Sequence, residues 1–322
     1  MCEFGPDSRL IKTLSRRVPE NRFRFFRCHS CRAYVKRFSI FLVATIAKQI
    51  GFLNDSVYRL TSGKIKLYDE RIVNVPRERI IINFINHIAI IPDGNRRWAK
   101  KKGLLSEGSL YDKGAANFQY ITEALFSKGV NYVTFWVSSV DNLKNREKSL
   151  VKAMHKLYAK KFTELLNDPK IMENKIKVQV CGSWRTFLEK DTIDIIEKLL
   201  VKTANNDKGI LTLLVAYDGK IERGQAVISL LDDHVLEKNI NKDPLTFNSL
   251  LKKHSWTGYL PSVDFIIRTG SWNDPHNSAD FLSFLTGDSQ LYFPEVYWPD
   301  FDSNWLEKSL QEYVSRERRK GS

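Results

Sequence analysis

His87-Ile-Ala-Ile-Ile-Pro-Asp-Gly-Asn-Arg-Arg-Trp-Ala99 opens as an apolar, β-branched run and breaks abruptly into a carboxylate, a glycine, an amide and two guanidiniums. An uninterrupted run such as Ile88 to Ile91 reads as a buried parallel strand. Beyond it, Gly94 lets main-chain N–H groups approach a ligand, and a helix from about Arg97 would direct its positive end to the same place. The combination reads as an anion site with a metal ligand. A diphosphate suits it, with Asp93 holding Mg²⁺ against the phosphate oxygens while Asn95, Arg96 and Arg97 donate charge-assisted hydrogen bonds. The plainer alternative for the same residues is an Asx-type turn leading into a solvated basic helix.

Working outward, short β-branched runs recur at His87 to Ile91, Tyr132 to Ser138, Ile176 to Cys181, Ile210 to Ala216 and Val263 to Arg268. Between them the apolar spacing turns helical at about Gly114 to Lys128, Glu147 to Leu166, Asp191 to Thr203 and Glu222 to Leu231. Strand and helix taking turns predict a three-layer α/β domain with a mostly parallel central sheet flanked by helices. Ligands of such sheets sit beyond the carboxyl ends of strands. Asp93, Ser139 and Arg268 each follow such an end, so they are expected on one rim. Helix positions Phe118, Ile121, Leu125, Leu150, Met154 and Leu157 are expected either to line an apolar tunnel or to be ordinary core.

Four further stretches carry polar residues at strand ends. Phe135-Trp-Val-Ser-Ser-Val-Asp-Asn-Leu-Lys-Asn-Arg146 runs from a strand into hydroxyl and amide side chains, which also suits a helix cap. Ala216-Tyr-Asp-Gly-Lys-Ile-Glu222 reads as a strand-to-helix turn. In Asp264-Phe-Ile-Ile-Arg-Thr-Gly270 an arginine ends an apolar strand and needs an anionic partner. Gln290-Leu-Tyr-Phe-Pro-Glu-Val-Tyr-Trp-Pro-Asp-Phe301 is the last.

Taken with the Asp93-Gly94-Asn95 loop and in this order, these stretches resemble the signature regions of the cis-prenyltransferases, the family of undecaprenyl and dehydrodolichyl diphosphate synthases. The resemblance spans about residues 85 to 317. It implies that Asp93 binds Mg²⁺ on an allylic diphosphate, that Gly94, Asn95, Arg96, Arg97 and Trp98 surround that group, and that Asn142 moves or positions a proton. It also implies substrate contacts for Ser139, Val140, Asp141, Arg146 and Arg268, the last on isopentenyl diphosphate, and a metal contact for Gln290.

The chain departs from the family's pattern at several of these positions. Asp141 stands for a glutamate, and Asn145 occupies an arginine's place with Arg146 one residue later. Asp218 and Lys220 replace a glycine and an arginine. A second phosphate-gripping arginine is missing from Ser271-Trp-Asn-Asp-Pro-His-Asn-Ser278, where His276, Asn277 and Ser278 remain as donors. Gln290 replaces a glutamate, with Asp288 nearby.

The chain has 322 residues, 43% of them hydrophobic, and a net charge of +14. The first fifty hold eleven Lys or Arg against Glu3, Asp7 and Glu20, a local charge of +8. Residues 1 to 75 are read as a basic extension and 76 to 322 as the catalytic domain. Arg22-Phe-Arg-Phe-Phe-Arg27, Lys36-Arg37 and the apolar Phe38 to Ala47 favour an anionic membrane surface over nucleic acid. Phe38 to Ala47 is too short to cross a bilayer. No secretory signal is evident. Four cysteines fit a reducing compartment, and Cys28-His-Ser-Cys31 lacks the second pair a structural zinc would need.

The expected activity is condensation of an allylic diphosphate such as farnesyl diphosphate with isopentenyl diphosphate, with Mg²⁺ as cofactor. Prenyl transfer to another acceptor, or service as the accessory subunit of a heteromeric enzyme, are the alternatives. A homodimer or heterodimer is implied by the resemblance. The expected location is cytoplasmic, peripheral on a membrane: endoplasmic reticulum in a eukaryote, inner membrane in a bacterium.

Overall fold

The computed structural model describes residues 58–61, 64–67, 85–104, 109–233 and 243–316. Expectations that fall on the basic extension before residue 58, including Cys28 and Cys31, lie outside these residues. The chain divides into two units, residues 1–77 and 78–322. In the first, β1 (Tyr58–Thr61) and β2 (Lys64–Leu67) form an antiparallel hairpin, Tyr58 opposite Leu67 and Thr61 opposite Lys64.

In the second unit six strands form one parallel sheet. They are β3 (His87–Ile91), β4 (Tyr132–Trp136), β5 (Ile176–Cys181), β6 (Gly209–Leu214), β7 (Phe265–Arg268) and β8 (Gln290–Tyr292), in spatial order β5-β6-β4-β3-β7-β8. The helices are α1 (Asn95–Lys101), α2 (Ser109–Ser127), α3 (Val140–Lys144), α4 (Lys148–Asn167), α5 (Pro169–Glu173), α6 (Trp184–Phe187), α7 (Lys190–Lys202), α8 (Gly219–Leu231), α9 (Pro244–His254) and α10 (Ser303–Ser315). The expected α/β architecture is thus realised with every strand pairing of this sheet parallel.

Alternation along each strand divides the core between the two sheet faces. Ile88 and Ile90 of β3, with Val133 and Phe135 of β4, pack against Ile121 and Leu125 of α2, Met154, Tyr158 and Phe162 of α4, and Leu306 and Leu310 of α10. Ala89, Ile91, Trp136 and Ile266 face the other way, onto Tyr217, Leu260, Phe281 and Leu285. Glu222 of α8 is completely buried on this side. It accepts from the Tyr217 hydroxyl (2.5 Å), Thr257 N (2.8 Å) and Thr257 Oγ1 (2.6 Å), which satisfies a carboxylate that burial would otherwise penalise. α9 joins α8 through His254 Nδ1 and Ser229 Oγ, 3.0 Å apart.

The strand order creates the opening that matters. β3 connects to β4 on one side of the sheet and β7 to β8 on the other, so a crevice opens beyond the carboxyl ends of the adjacent strands β3 and β7. At the opposite end of β3, His87 is fully buried, with Nδ1 donating to Pro261 O (3.0 Å) and Nε2 accepting from Thr134 Oγ1 (2.8 Å). Burial drives its imidazole down to about 4, against the hydrogen bond to the Pro261 carbonyl and the charge of Asp264. His87 is therefore a neutral structural residue, remote from the crevice.

Candidate active site

Pro92 ends β3, and Gly94 turns the chain with φ of 101° into α1, which begins at Asn95, two residues earlier than the sequence suggested. A Cβ on Gly94 would lie 2.5 Å from Tyr297 Cδ1. Gly270, with φ of 71°, passes so close behind the loop that its Cβ would lie 2.9 Å from the Asp93 carbonyl oxygen. Only glycine fits either place. Thr269 Oγ1 (2.8 Å) and Trp298 N (3.1 Å) donate to that same carbonyl, so two segments distant in sequence fix Asp93.

The Asp93 carboxylate is held between two guanidiniums. Oδ1 accepts from Gly94 N (2.5 Å) and Arg97 Nη2 (3.1 Å); Oδ2 accepts from Arg268 Nη2 (3.2 Å) and Ser271 Oγ (3.4 Å). Arg268 is 8% exposed and Asp93 35%, so the pair reaches solvent from the acid's side. Arg268 Nη1 is spent on His276 O (2.9 Å) and Ser278 Oγ (2.7 Å). Arg97 lies over the Tyr297 ring, 5.6 Å from its centroid.

Across the rim, Ser139 caps α3. Its hydroxyl accepts from Asn142 N (3.1 Å), and Asn142 Oδ1 accepts in return from Ser139 N (3.3 Å), a reciprocal box that fixes the amide. The cap reading of this stretch and its place at the rim are both realised. Arg146 extends one amino group to Met154 Sδ (3.4 Å).

A cavity of about 1690 Å³ joins these groups. Asp93 to Arg97, Ser139, Asp141, Asn142, Arg146 and Arg268 surround one part of it, and Phe118, Leu150, Met154 and Leu157 supply apolar wall between α2 and α4. Ile121 and Leu125, expected beside them, are instead wholly buried core. Lys170 pairs with both Glu123 oxygens (3.0 and 2.9 Å), and Gln119 donates to Asp168 (3.3 Å), lacing the lining of the cavity between α2 and the α4–α5 corner.

Three expected contacts fall elsewhere. Trp98 is buried, its Nε1 donating to Asp300 Oδ2 (2.8 Å), and it braces α1 rather than facing the cavity. Val140 is likewise buried core. Gln290 pairs with Phe265 at the start of β7, three residues before Arg268, so a rise of about 3.3 Å per residue places it roughly 10 Å from the rim. Its amide oxygen accepts from Arg316 Nη1 (3.3 Å), so it does not share a metal with Asp93 within the chain. The residues that sequence reading passed over are Thr269, Ser271 and Tyr297, which build the Asp93 loop. Only their neighbourhood to Arg268 and Trp298 hinted at them.

The family model described as putative undecaprenyl diphosphate synthase matches residues 91–321. The chain belongs to the undecaprenyl diphosphate synthase family. An isoprenyl transferase of Fusobacterium nucleatum is 35% identical over 241 residues, 74% of this chain and 96% of that protein. A tritrans,polycis-undecaprenyl-diphosphate synthase (geranylgeranyl-diphosphate specific) of Pyrococcus abyssi is 32% identical over 236 residues, 73% of this chain and 86% of the relative. Lavandulyl diphosphate synthase from Lavandula x intermedia, solved with dimethylallyl diphosphate, shares the fold with a TM-score of 0.64 at 24% identity, over 73% of this chain and 97% of that one. As a member of the undecaprenyl diphosphate synthase family, this protein is a prenyltransferase with the cis-prenyltransferase fold.

Proposed function

We propose that the enzyme condenses an allylic diphosphate, such as farnesyl diphosphate, with isopentenyl diphosphate in cis geometry to give a polyprenyl diphosphate. The observation that carries this reading is the union of a charged rim with one long apolar cavity. Its volume of about 1690 Å³ exceeds the roughly 300–1,000 Å³ of ordinary small-molecule pockets, and its walls suit a hydrocarbon tail behind a diphosphate head.

Family membership implies a divalent metal, and Mg²⁺ is the ion proposed. Among the described residues no group of three His, Cys, Asp or Glu is placed to hold one. A lone carboxylate fits Mg²⁺ all the same, because that ion is commonly held by one or two carboxylates and completed by substrate phosphates and water. Asp93 would hold it, and when bound the ion supplies neutralising charge at the leaving diphosphate.

Arg97, Arg96 and Asn95 would bind that diphosphate and offset the charge that develops as its bond to the allylic carbon breaks. The homoallylic double bond would attack the allylic carbon as the diphosphate leaves, and the proton lost from the neighbouring carbon would pass to that released diphosphate, near Asn142, whose amide the Ser139 box holds still. Arg268, with one amino group on Asp93, aligns the second substrate. Catalysis is assigned to residues 76–322, with the basic extension meeting an anionic membrane surface at the cytoplasmic side, and with dimer formation, to itself or a partner chain. Among the described residues no helix is long and apolar enough to cross a membrane.

The test is incubation of the full chain with Mg²⁺, farnesyl diphosphate and isotopically labelled isopentenyl diphosphate, followed by separation of extracted lipids by length. Label in chains longer than the primer is expected. Its absence from a folded protein that still binds farnesyl diphosphate would overturn the reading.

A further inference from the structure

Along α4, Lys148, Lys152, Lys156 and Lys160 follow one another at four-residue intervals, so they form one stripe on the helix, about 18 Å from end to end. All four are exposed, and among the described residues none of them takes part in an ion pair. The carboxylates at the two ends of the stripe are committed elsewhere. Glu147 accepts from Ser149 Oγ (2.8 Å), and Glu164 is paired with Lys161 (2.6 Å). On α7, packed beside α4, charges are matched instead, Lys190 with Asp194 (2.6 Å) and Glu197 with Arg185 (3.2 Å). Like charges four residues apart repel, so the stripe weakens α4 taken by itself.

The inner side of the same helix is apolar, with Leu150, Met154 and Leu157 walling the large cavity. That cavity comes to the surface at the α4–α5 corner, where the exposed Asn167 and Lys170 are part of its lining. Lys160 brings the stripe to within about two helical turns of the corner. Tyr120 and Met172, next in sequence to the lining residues Gln119 and Ile171, are 50% and 39% exposed. A row of cations beside exposed aromatic and thioether side chains fits an anionic bilayer, whose phosphates take the lysines and whose acyl boundary takes Tyr120 and Met172. A nucleic-acid duplex would match the lysines alone.

We propose that the lysine stripe of α4, with Tyr120 and Met172 at the adjoining corner, is a docking surface for an anionic phospholipid bilayer. This rests on the membrane association proposed above and deepens it, giving the catalytic unit a lipid contact of its own besides the basic extension. An apolar product leaving the cavity at this corner enters lipid rather than water. Each lysine close to such a surface strengthens binding about fivefold, an effect that salt screens.

The experiment is co-sedimentation of the full chain with phosphatidylcholine vesicles containing about 30% phosphatidylserine, at an ionic strength of about 0.1 M. Wild type is compared with K152Q/K156Q and with K220Q/K253Q, which removes the same charge from α8 and α9. Partitioning of K152Q/K156Q is expected to weaken by about tenfold or more, and that of K220Q/K253Q by less than about threefold. The unfolding transition of K152Q/K156Q should be unchanged or raised, since two like charges leave the helix. Equal losses in the two double variants, or no loss in K152Q/K156Q, would overturn the proposal. A DNA duplex bound more tightly than the vesicles through the same two lysines would overturn it as well. Wild type that fails to bind the vesicles at all would contradict the extension's membrane role together with that of α4. No substrate is present, so the result stands apart from the condensation.

Discussion

Asp93 Oδ2 and Arg268 Nη2 meet at 3.2 Å across the crevice between β3 and β7, joining residues 175 positions apart in the chain. The acid is on the side that solvent reaches and the guanidinium on the side that it does not. Asp93→Asn keeps the shape of this pair while removing its negative charge. Turnover is expected to fall by at least about 10²-fold, the scale seen when a single electrostatic contact to a transition state is lost. Unfolding by urea should shift as well, towards lower stability, because the nearly buried Arg268 loses its anionic partner. Steady-state rates alongside a denaturation curve check both halves, and near-normal turnover would contradict the role given to Asp93.

The loop bearing Asp93 depends on Gly270. A Cβ there meets the Asp93 carbonyl at 2.9 Å, and the φ of 71° already disfavours any other residue. Gly270→Ala should destabilise the protein by about 2 kcal/mol or more and depress turnover as well. Gly103 has φ of 66° but nothing within 4 Å, so Gly103→Ala should cost only about 1–2 kcal/mol and spare activity. Paired melting curves and rates distinguish steric crowding at the site from backbone strain alone.

Leu157 lines the large cavity between α2 and α4. Leu157→Trp fills space that a growing hydrocarbon would occupy. The longest product should shorten while short products accumulate, read by chain-length separation of labelled lipids. An unchanged product profile would place the hydrocarbon elsewhere.

His87 should make stability depend on pH. Its imidazole is held down to about 4 by burial, while in the unfolded chain it protonates below about 6.5. Between those values the unfolded state binds the extra proton. Stability is therefore full above about pH 6.5, declines as pH falls towards 4, and levels off below, a total of about 3 kcal/mol from this group. The urea-unfolding difference between wild type and His87→Gln should narrow by about 2 kcal/mol from pH 7 to pH 5. Parallel pH profiles would contradict this.

Much of the fold was legible because β3 is a dense apolar run and β5 an alternating one with branched residues on one face, and their ends coincide with the observed His87–Ile91 and Ile176–Cys181. β8 escaped notice because its three residues are half-buried or exposed, and an edge strand leaves no apolar run. α9 escaped for a related reason, since none of its residues is buried and no apolar stripe marks it. At the site, the rim holding Asp93, Ser139 and Arg268 follows from where their strands end. Gln290 could not be placed that way, because its position depends on the β7–β8 register, a long-range pairing. The support that Thr269, Ser271 and Tyr297 give to Asp93 was hidden for the same reason.

The most direct measurement is ¹³C NMR of the product made from farnesyl diphosphate and isopentenyl diphosphate carrying ¹³C in its methyl group. The chemical shift of that methyl reports the geometry of each new trisubstituted double bond. Newly added units are predicted to be cis. Trans units, or label joined at a branch rather than head to tail, would contradict cis condensation at the Asp93–Arg268 crevice.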